Sequence, residues 1–401
     1  MDRKELKQMI EHIKAGRARP ISEGSLEEGA KEKGSMPTRR SRISLAEHAE
    51  ENKIKHAEEN KIEHEKEEQG IISSVKIDKI KDAKSCFIHI TKVGSESCVC
   101  FVDGGSAVII DSPSLAVGLI RAVGIVVKKN RCIKAIKKEF YVMAESTRSD
   151  EEGEGMAISY RTRLYGDKGM ININSFSINS LHKSYSAAKE RFRVSKMIDI
   201  ARRLSEISVA KEAAEESLGN ADIVVLDGNL KAMNSVERCY LDELYSTAKK
   251  KGVLVCAIQK SCTKLDEKGD CLLDSLSRDA PKGIWFCRLK EKRLSEMHRA
   301  EAFVARMNNS SKYLFFCEIF DEQAKNADLT KLFGFFSFMS RDLAFPGYPY
   351  WLIKADCLAR VADTEKEMAS AILLSSDKEI ENSLMPFVHS LDAHQVLDNI
   401  R

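Results

Sequence analysis

The rhythm of hydrophobic positions along the chain changes near residue 70. Before it, Leu6, Met9, Ile10 and Ile13 recur at helical spacing and predict a short amphipathic helix over residues 2–14. Residues 15–44 are rich in Gly, Ser, Pro and Arg and read as a linker. A repeat follows, His48-Ala-Glu-Glu-Asn-Lys-Ile-Lys55 and then His56-Ala-Glu-Glu-Asn-Lys-Ile-Glu63, whose eight-residue period matches no helical repeat over several turns. It reads as a solvated, partly helical spacer, and this whole region holds too few apolar positions to join a core.

From residue 71 to residue 90 apolar and polar residues alternate, and apolar runs at 99–102 and 107–110 then flank Asp103-Gly104-Gly105-Ser106. Apolar runs around Asp-Gly-Gly predict a hairpin that turns at Asp103. Residues 115–127 and 132–144 complete a set of three early strands, and 145–180 read as an exposed excursion around one or two more. Nothing breaks a helical pattern over 184–218, where Val194, Met197, Ala201, Leu204 and Ser208 form the apolar stripe and Gly219-Asn220 stops it. Ile223-Val-Val-Leu-Asp227-Gly repeats the earlier theme, an apolar run ending in Asp-Gly. A helix over 235–250 leads to a strand over 253–258 and to Gln259-Lys260-Ser261. Strands are predicted over 302–307 and 313–320, followed by Phe345-Pro-Gly-Tyr348-Pro-Tyr-Trp-Leu-Ile-Lys-Ala-Asp356, a helix, and Asp392-Ala-His394.

Composition narrows the class. The 401 residues are 43% hydrophobic and 31% charged with a net charge of +3, and a basic arm over 1–42 precedes an acidic segment over 43–70. Such a balance neither supports nor excludes nucleic acid, because phosphate binding needs a local stripe of Lys and Arg rather than net charge. The 11 cysteines show no Cys-x-x-Cys spacing and lie mostly within apolar runs, as core residues in a reducing compartment do. Cys98 and Cys100 would share a strand face, but two thiols without a second pair make a poor zinc site. His48, His56 and His64 lie more than two helical turns apart, which argues against a shared metal. Residues 1–14 are charged throughout and no apolar run approaches the ~20 residues of a membrane helix, so a soluble, cytoplasmic protein is expected.

The candidate chemistry lies in the two Asp-Gly strand ends, Asp103 and Asp227, separated by one long helix. Side by side in one sheet, their carboxylates would repel unless a divalent cation joined them, and hard oxygen ligands select magnesium or manganese. For Asp103 alone, ordinary turn chemistry is the simpler account of the residue. Glu206, on the flank of the helix stripe, is either a metal ligand or an ion-pair partner of Arg202 or Arg203.

Six motifs in order, Phe-Val-Asp103-Gly-Gly-Ser, Ala-Arg-Arg-Leu-Ser-Glu206, Val-Val-Leu-Asp227-Gly-Asn-Leu, Gln-Lys260-Ser, Pro-Gly-Tyr348-Pro-Tyr-Trp-Leu-Ile-Lys-Ala-Asp356 and Asp-Ala-His394, resemble NurA, the archaeal and bacterial nucleases that partner the HerA DNA translocase. The resemblance covers roughly residues 75–401, and the first 70 residues have no counterpart in it. It implies an α/β fold with an RNase H-like core, a mixed sheet flanked by helices and family-specific insertions, in a domain over 71–401 behind a charged extension over 1–70. It implies that Asp103 on the first strand, Glu206 on the first core helix and Asp227 on the fourth strand hold two manganese or magnesium ions for phosphodiester hydrolysis. Lys260 would offset charge on the scissile phosphate, against a plain surface lysine. Tyr348 would orient substrate or stack a base, against a structural turn. His394 would be a ligand or proton carrier, against a helix cap. Some relatives have a His where this chain has Asp356, which is either a fourth carboxylate or a helix N-terminal acid. The implied unit is a nucleoid-associated homodimer that cuts DNA 5′ to 3′ and cuts single strands internally. It would dock on a hexameric HerA-like ATPase in DNA end resection and double-strand break repair.

Two other classes stay in view: an inactive RNase H-like docking subunit, and an ATPase of related fold, against which the chain lacks Gly-rich phosphate loops in both halves. The aromatic run over 332–338 is either a contact surface or a buried helix.

Overall fold

Apolar runs become strands, and helices form where the apolar period lengthens from two residues toward four. The computed structural model describes residues 8, 9, 11, 87–91, 97–148, 158–167, 169–179, 192–266, 268–289 and 296–375. The first half supplies β1 (Phe87–His89), β2 (Val99–Asp111), β3 (Leu115–Lys128), β4 (Arg131–Arg148), β5 (Ile158–Tyr165) and β6 (Ser177–Asn179). Helix α1 (Lys196–Glu216), β7 (Ile223–Asp227), α2 (Ser235–Lys251) and β8 (Leu254–Gln259) follow. Then come α3 (Leu272–Asp279), β9 (Trp285–Arg288), β10 (Ala300–Arg306), β11 (Phe315–Phe320), α4 (Asp321–Ala324), α5 (Leu329–Met339), α6 (Tyr350–Ala359) and α7 (Asp363–Ser375).

All eleven strands join one sheet in the order β1-β9-β10-β11-β8-β7-β2-β3-β4-β5-β6. Strands β2, β3 and β4 form an antiparallel meander, β7 pairs parallel with β2, and β8 pairs parallel with β7. With α1 leading into β7 and α2 into β8, these five strands make the RNase H-like core that the motifs imply. Strands β5 and β6 extend it beyond β4, and β11, β10, β9 and β1 extend it beyond β8.

Strand β2 does not turn at Asp103. It runs straight through Asp103-Gly104-Gly105-Ser106, and neither glycine has a positive φ. The chain reverses instead at residues 112–114, where Ser112 Oγ accepts the N–H of Leu115 at 3.1 Å. The glycines answer close approach: a Cβ on Gly104 would lie 2.6 Å from Glu206 Oε1, and a Cβ on Gly105 would lie 2.1 Å from Ala359 O. Successive residues of a strand face opposite sides, so α1 touches β2 on one face of the sheet and α6 on the other.

The same alternation divides the core. Cys100 and Val102 pack with Ile207, Ala210 and Ala214 of α1 and Leu241 of α2. Val99 and Phe101 belong to the cluster on the other face, with Phe333 and Phe336 of α5 and Leu352, Ala355 and Ala359 of α6. The aromatic run over 332–338 is therefore chiefly core: Phe333, Phe335 and Phe336 are buried, and the contact-surface reading does not hold for them. Helix α1 begins at Lys196, later than predicted, and residues 184–191 lie outside the described residues.

Gln8, Met9 and Glu11 are helical, as the spacing predicts, and Met9 is fully buried with Ile110, Leu115, Val117, Met143, Tyr165 and Leu373. This corrects the expectation that nothing before residue 70 joins the core: a single long apolar side chain suffices to seat the helix. The repeat over 48–63 and the boundary at residue 70 lie outside the described residues. Among the described residues no helix is long and apolar enough to cross a membrane.

Candidate metal centre

Register places the first two acids. Val102 on β2 is paired with Leu226 on the parallel β7, so the next residues, Asp103 and Asp227, come side by side where β7 ends. Helix α6 lies on the face of the sheet to which Asp103 points, and it supplies the third acid. Ligand oxygens of Asp103, Asp227 and Asp356 all lie within 4.8 Å of one another. Asp356 sits in the second half of α6, so the reading of it as a helix N-terminal acid does not hold.

Lys260 follows β8 directly and reaches into this triangle. Its Nζ lies 2.5 Å from Asp227 Oδ2, 2.8 Å from Asp356 Oδ1 and 3.5 Å from Asp103 Oδ2. At these distances the one ammonium is paired with the Asp227 and Asp356 carboxylates together.

Burial, then the charges of Asp227 and Glu206, push the Asp103 carboxyl up to about 8 despite the opposing pull of Lys260. For Lys260, burial works to lower the ammonium, but the attraction of Asp227 and hydrogen bonding to Asp227 and Asp356 hold it above its ordinary value. Asp356 is driven up by burial and more strongly down by Lys260 and Arg360, and ends below the usual carboxylate range. Arg360 Nη2 lies 2.7 Å from Asp356 Oδ2, one helical turn away.

Glu206 is brought beside Asp103 but from the other face, against Gly104, and it is not a corner of the triangle. It is 1% exposed, and both of its oxygens are taken: Oε1 by Arg202 and Oε2 by Arg203 at 3.1 Å. Arg202 also donates to Gly104 O at 3.3 Å, and Arg203 donates to Asn229 O in the loop after Asp227. The charge of Glu206 raises the Arg202 guanidinium above its usual value.

Tyr348 is fully buried, so its ring cannot stack a base. Its hydroxyl lies 3.4 Å from Ile258 O and fixes the strand end that carries Lys260. Burial raises the phenol well above its ordinary range, with the Asp227 charge adding to the effect. His394 lies outside the described residues.

Two supporting residues escaped the motif search. Arg121 on β3 donates to Arg360 O at 2.8 Å and to Glu365 Oε1 at 2.7 Å, and so ties down the end of the helix that carries Asp356. Glu318 on β11 accepts the N–H of Leu230 at 2.6 Å and lies 3.1 Å from His298 Nε2, which steadies the loop after Asp227. Each is a lone charge inside an apolar run, Leu-Ile-Arg121-Ala-Val and Phe-Cys-Glu318-Ile-Phe, and that signal was available in the sequence.

Three carboxylates whose oxygens gather in one cluster, two of them at adjacent positions on parallel strands, suit a hard divalent cation such as magnesium or manganese. Residues Asp103, Asp227 and Asp356 would hold it.

No protein-family model matches the chain, and no curated protein matches it. Among solved structures the chain is similar to the NurA nuclease from Sulfolobus solfataricus, with 14% identity and a TM-score of 0.43, over 83% of this chain and 97% of that one. It is also similar to the catalytic domain of human Endonuclease V, with 9% identity and a TM-score of 0.35, over 76% and 94% of the two chains. Endonuclease V of Ciona intestinalis, in complex with a 24mer DNA containing an inosine followed by a ribo-adenosine, gives 13% identity and a TM-score of 0.32 over 79% and 99%. Likenesses this distant carry no functional weight of their own.

Proposed function

We propose that the chain is a divalent-metal-dependent nuclease of the NurA type, hydrolysing phosphodiester bonds of DNA. The observation that supports this reading is the triangle of Asp103, Asp227 and Asp356, built at the end of the parallel strands of an RNase H-like core with Lys260 among its oxygens. A cation held there would supply Lewis acidity and a water of lowered pKa for in-line displacement at phosphorus.

The chain's own residues set up the rest. Asp103 is buried and the Asp227 side chain is 10% exposed, which limits screening by water at these two carboxylates. The Lys260 ammonium, two-fifths exposed, stands at the rim, where it can stabilise charge developing on a scissile phosphate. Arg360 limits the travel of Asp356, and Tyr348 holds the β8 end against the core.

The finer reading is of a homodimer using manganese, acting as a 5′ to 3′ exonuclease and single-strand endonuclease with a HerA-like ATPase ring in end resection. Modest net charge gives little electrostatic hold on DNA, so enclosure by a second subunit would retain it by avidity. A manganese-dependent assay on DNA labelled at either end, with the wild type and Asp103→Ala, tests the activity and its polarity. Equal cleavage by both proteins would sink the assignment. Light scattering at micromolar concentration tests the dimer, and co-purification with the HerA-like ATPase of the same organism tests the partner.

A further inference from the structure

The four acids near Asp103 fall into two electrically different groups. In the first, three carboxylates face two cations, the ammonium of Lys260 among them and the guanidinium of Arg360 on Asp356. One negative charge is left over, so a first divalent cation already turns the group positive and opposes a second. In the second, one carboxylate, Glu206, faces two guanidinium groups, Arg202 and Arg203. That group is already positive before any metal arrives.

Geometry separates the groups as charge does. Asp103 and Gly105 point to the α6 face of β2, whereas Gly104 points to α1, and Glu206 fills the space above Gly104. Glu206 therefore approaches Asp103 from the face of β2 opposite α6. Glu206 is also immobilised, because Arg202 is bound to Gly104 O and Arg203 to Asn229 O as well as to the carboxylate. To bind a cation, Glu206 would have to give up both arginines and leave them in a largely buried site, which is costly.

We propose that this centre holds one divalent cation, in the Asp103, Asp227 and Asp356 triangle. Glu206 is not a ligand but the anchor of the Arg202 and Arg203 pair, which supplies the second positive charge beside the reacting phosphate. This rests on the nuclease reading for its substrate but not for its cation count. Arg202 keeps 31% of its side chain exposed, enough for one edge of the guanidinium to meet a phosphate oxygen.

The test is manganese binding by the full chain, followed by calorimetry and by electron paramagnetic resonance. One ion per chain with the spectrum of an isolated manganese is expected. Asp227→Asn should weaken binding by more than about 100-fold, and Glu206→Gln by less than about tenfold, the low end for groups outside the ligand set. Two ions per wild-type chain, or a spin-coupled pair, would overturn the proposal while leaving the nuclease reading intact. Glu206→Gln matching Asp227→Asn in its loss would overturn it too. No binding at all would remove the metal centre itself. Should Glu206→Gln fail to fold, Arg202→Gln serves in its place: unchanged stoichiometry with DNA affinity lowered supports the arginine's role, and unchanged DNA affinity refutes it.

Discussion

Asp103 is under electrostatic strain, because burial and two neighbouring carboxylates all oppose its ionisation. A carboxyl whose folded pKa exceeds its unfolded value binds its proton more tightly when folded. Its contribution therefore stabilises the fold at acid pH and is lost as the pH rises from the ordinary carboxylate range through about 8. Chelator-treated protein is expected to melt at progressively lower temperature between about pH 5 and pH 8, with the slope flattened in Asp103→Asn. The same variant is expected to lose at least about 100-fold in cleavage rate while remaining folded, since it relieves repulsion as it removes a ligand. An unchanged pH slope, read by scanning calorimetry, would clear Asp103 of that role. At this scale the sequence was legible where an apolar run ending in Asp-Gly repeats, at Asp103 and Asp227, and ambiguous at Glu206. Spacing on one helix shows two nearby arginines and a flank position, but only the register of β2 tells which face Glu206 meets.

Among the elements, α1, β2 and α6 form a sandwich whose middle layer is thinned by Gly104 and Gly105. Asp-Gly-Gly announces a turn by composition, and nothing local distinguishes a glycine needed for a turn from one needed for a neighbour. That is why the predicted hairpin moved from residue 103 to residues 112–114. Gly105→Ala is expected to cost about 1–3 kcal/mol in denaturant unfolding, because backbone at Ala359 cannot yield as a side chain could. It should also weaken manganese binding by displacing the helix that bears Asp356. Arg121→Gln should act on the same helix from its end, lowering metal affinity without touching the site. A metal affinity equal to wild type in both would show that α6 is positioned by other contacts. The helices and strands with strong periodicity were legible, whereas β1 and β9, at three and four residues, are too short to show a period.

Over the whole molecule, the core includes a residue far from it in sequence. Met9→Ala is expected to destabilise the fold by about 2 kcal/mol or more, as loss of a fully buried Met side chain does, and removal of residues 1–14 should lower the melting temperature further. Unchanged stability would mean that the helix around Met9 leaves the sheet in solution. Chain order showed three early strands, the long helix and the strand ending in Asp227, but not that the sheet continues past β8 to β1, since edge strands pair with residues distant in sequence. Among the described residues the sheet ends at both sides in strands of three residues, β1 and β6. So short a row of unpaired amides is a poor template for another chain. Copies of this protein are expected to meet through helices, loops or sheet faces rather than through these two strands. Amide exchange at Ile88 and Ile178 should be indifferent to concentration, and crowding of chains should produce defined assemblies rather than fibres.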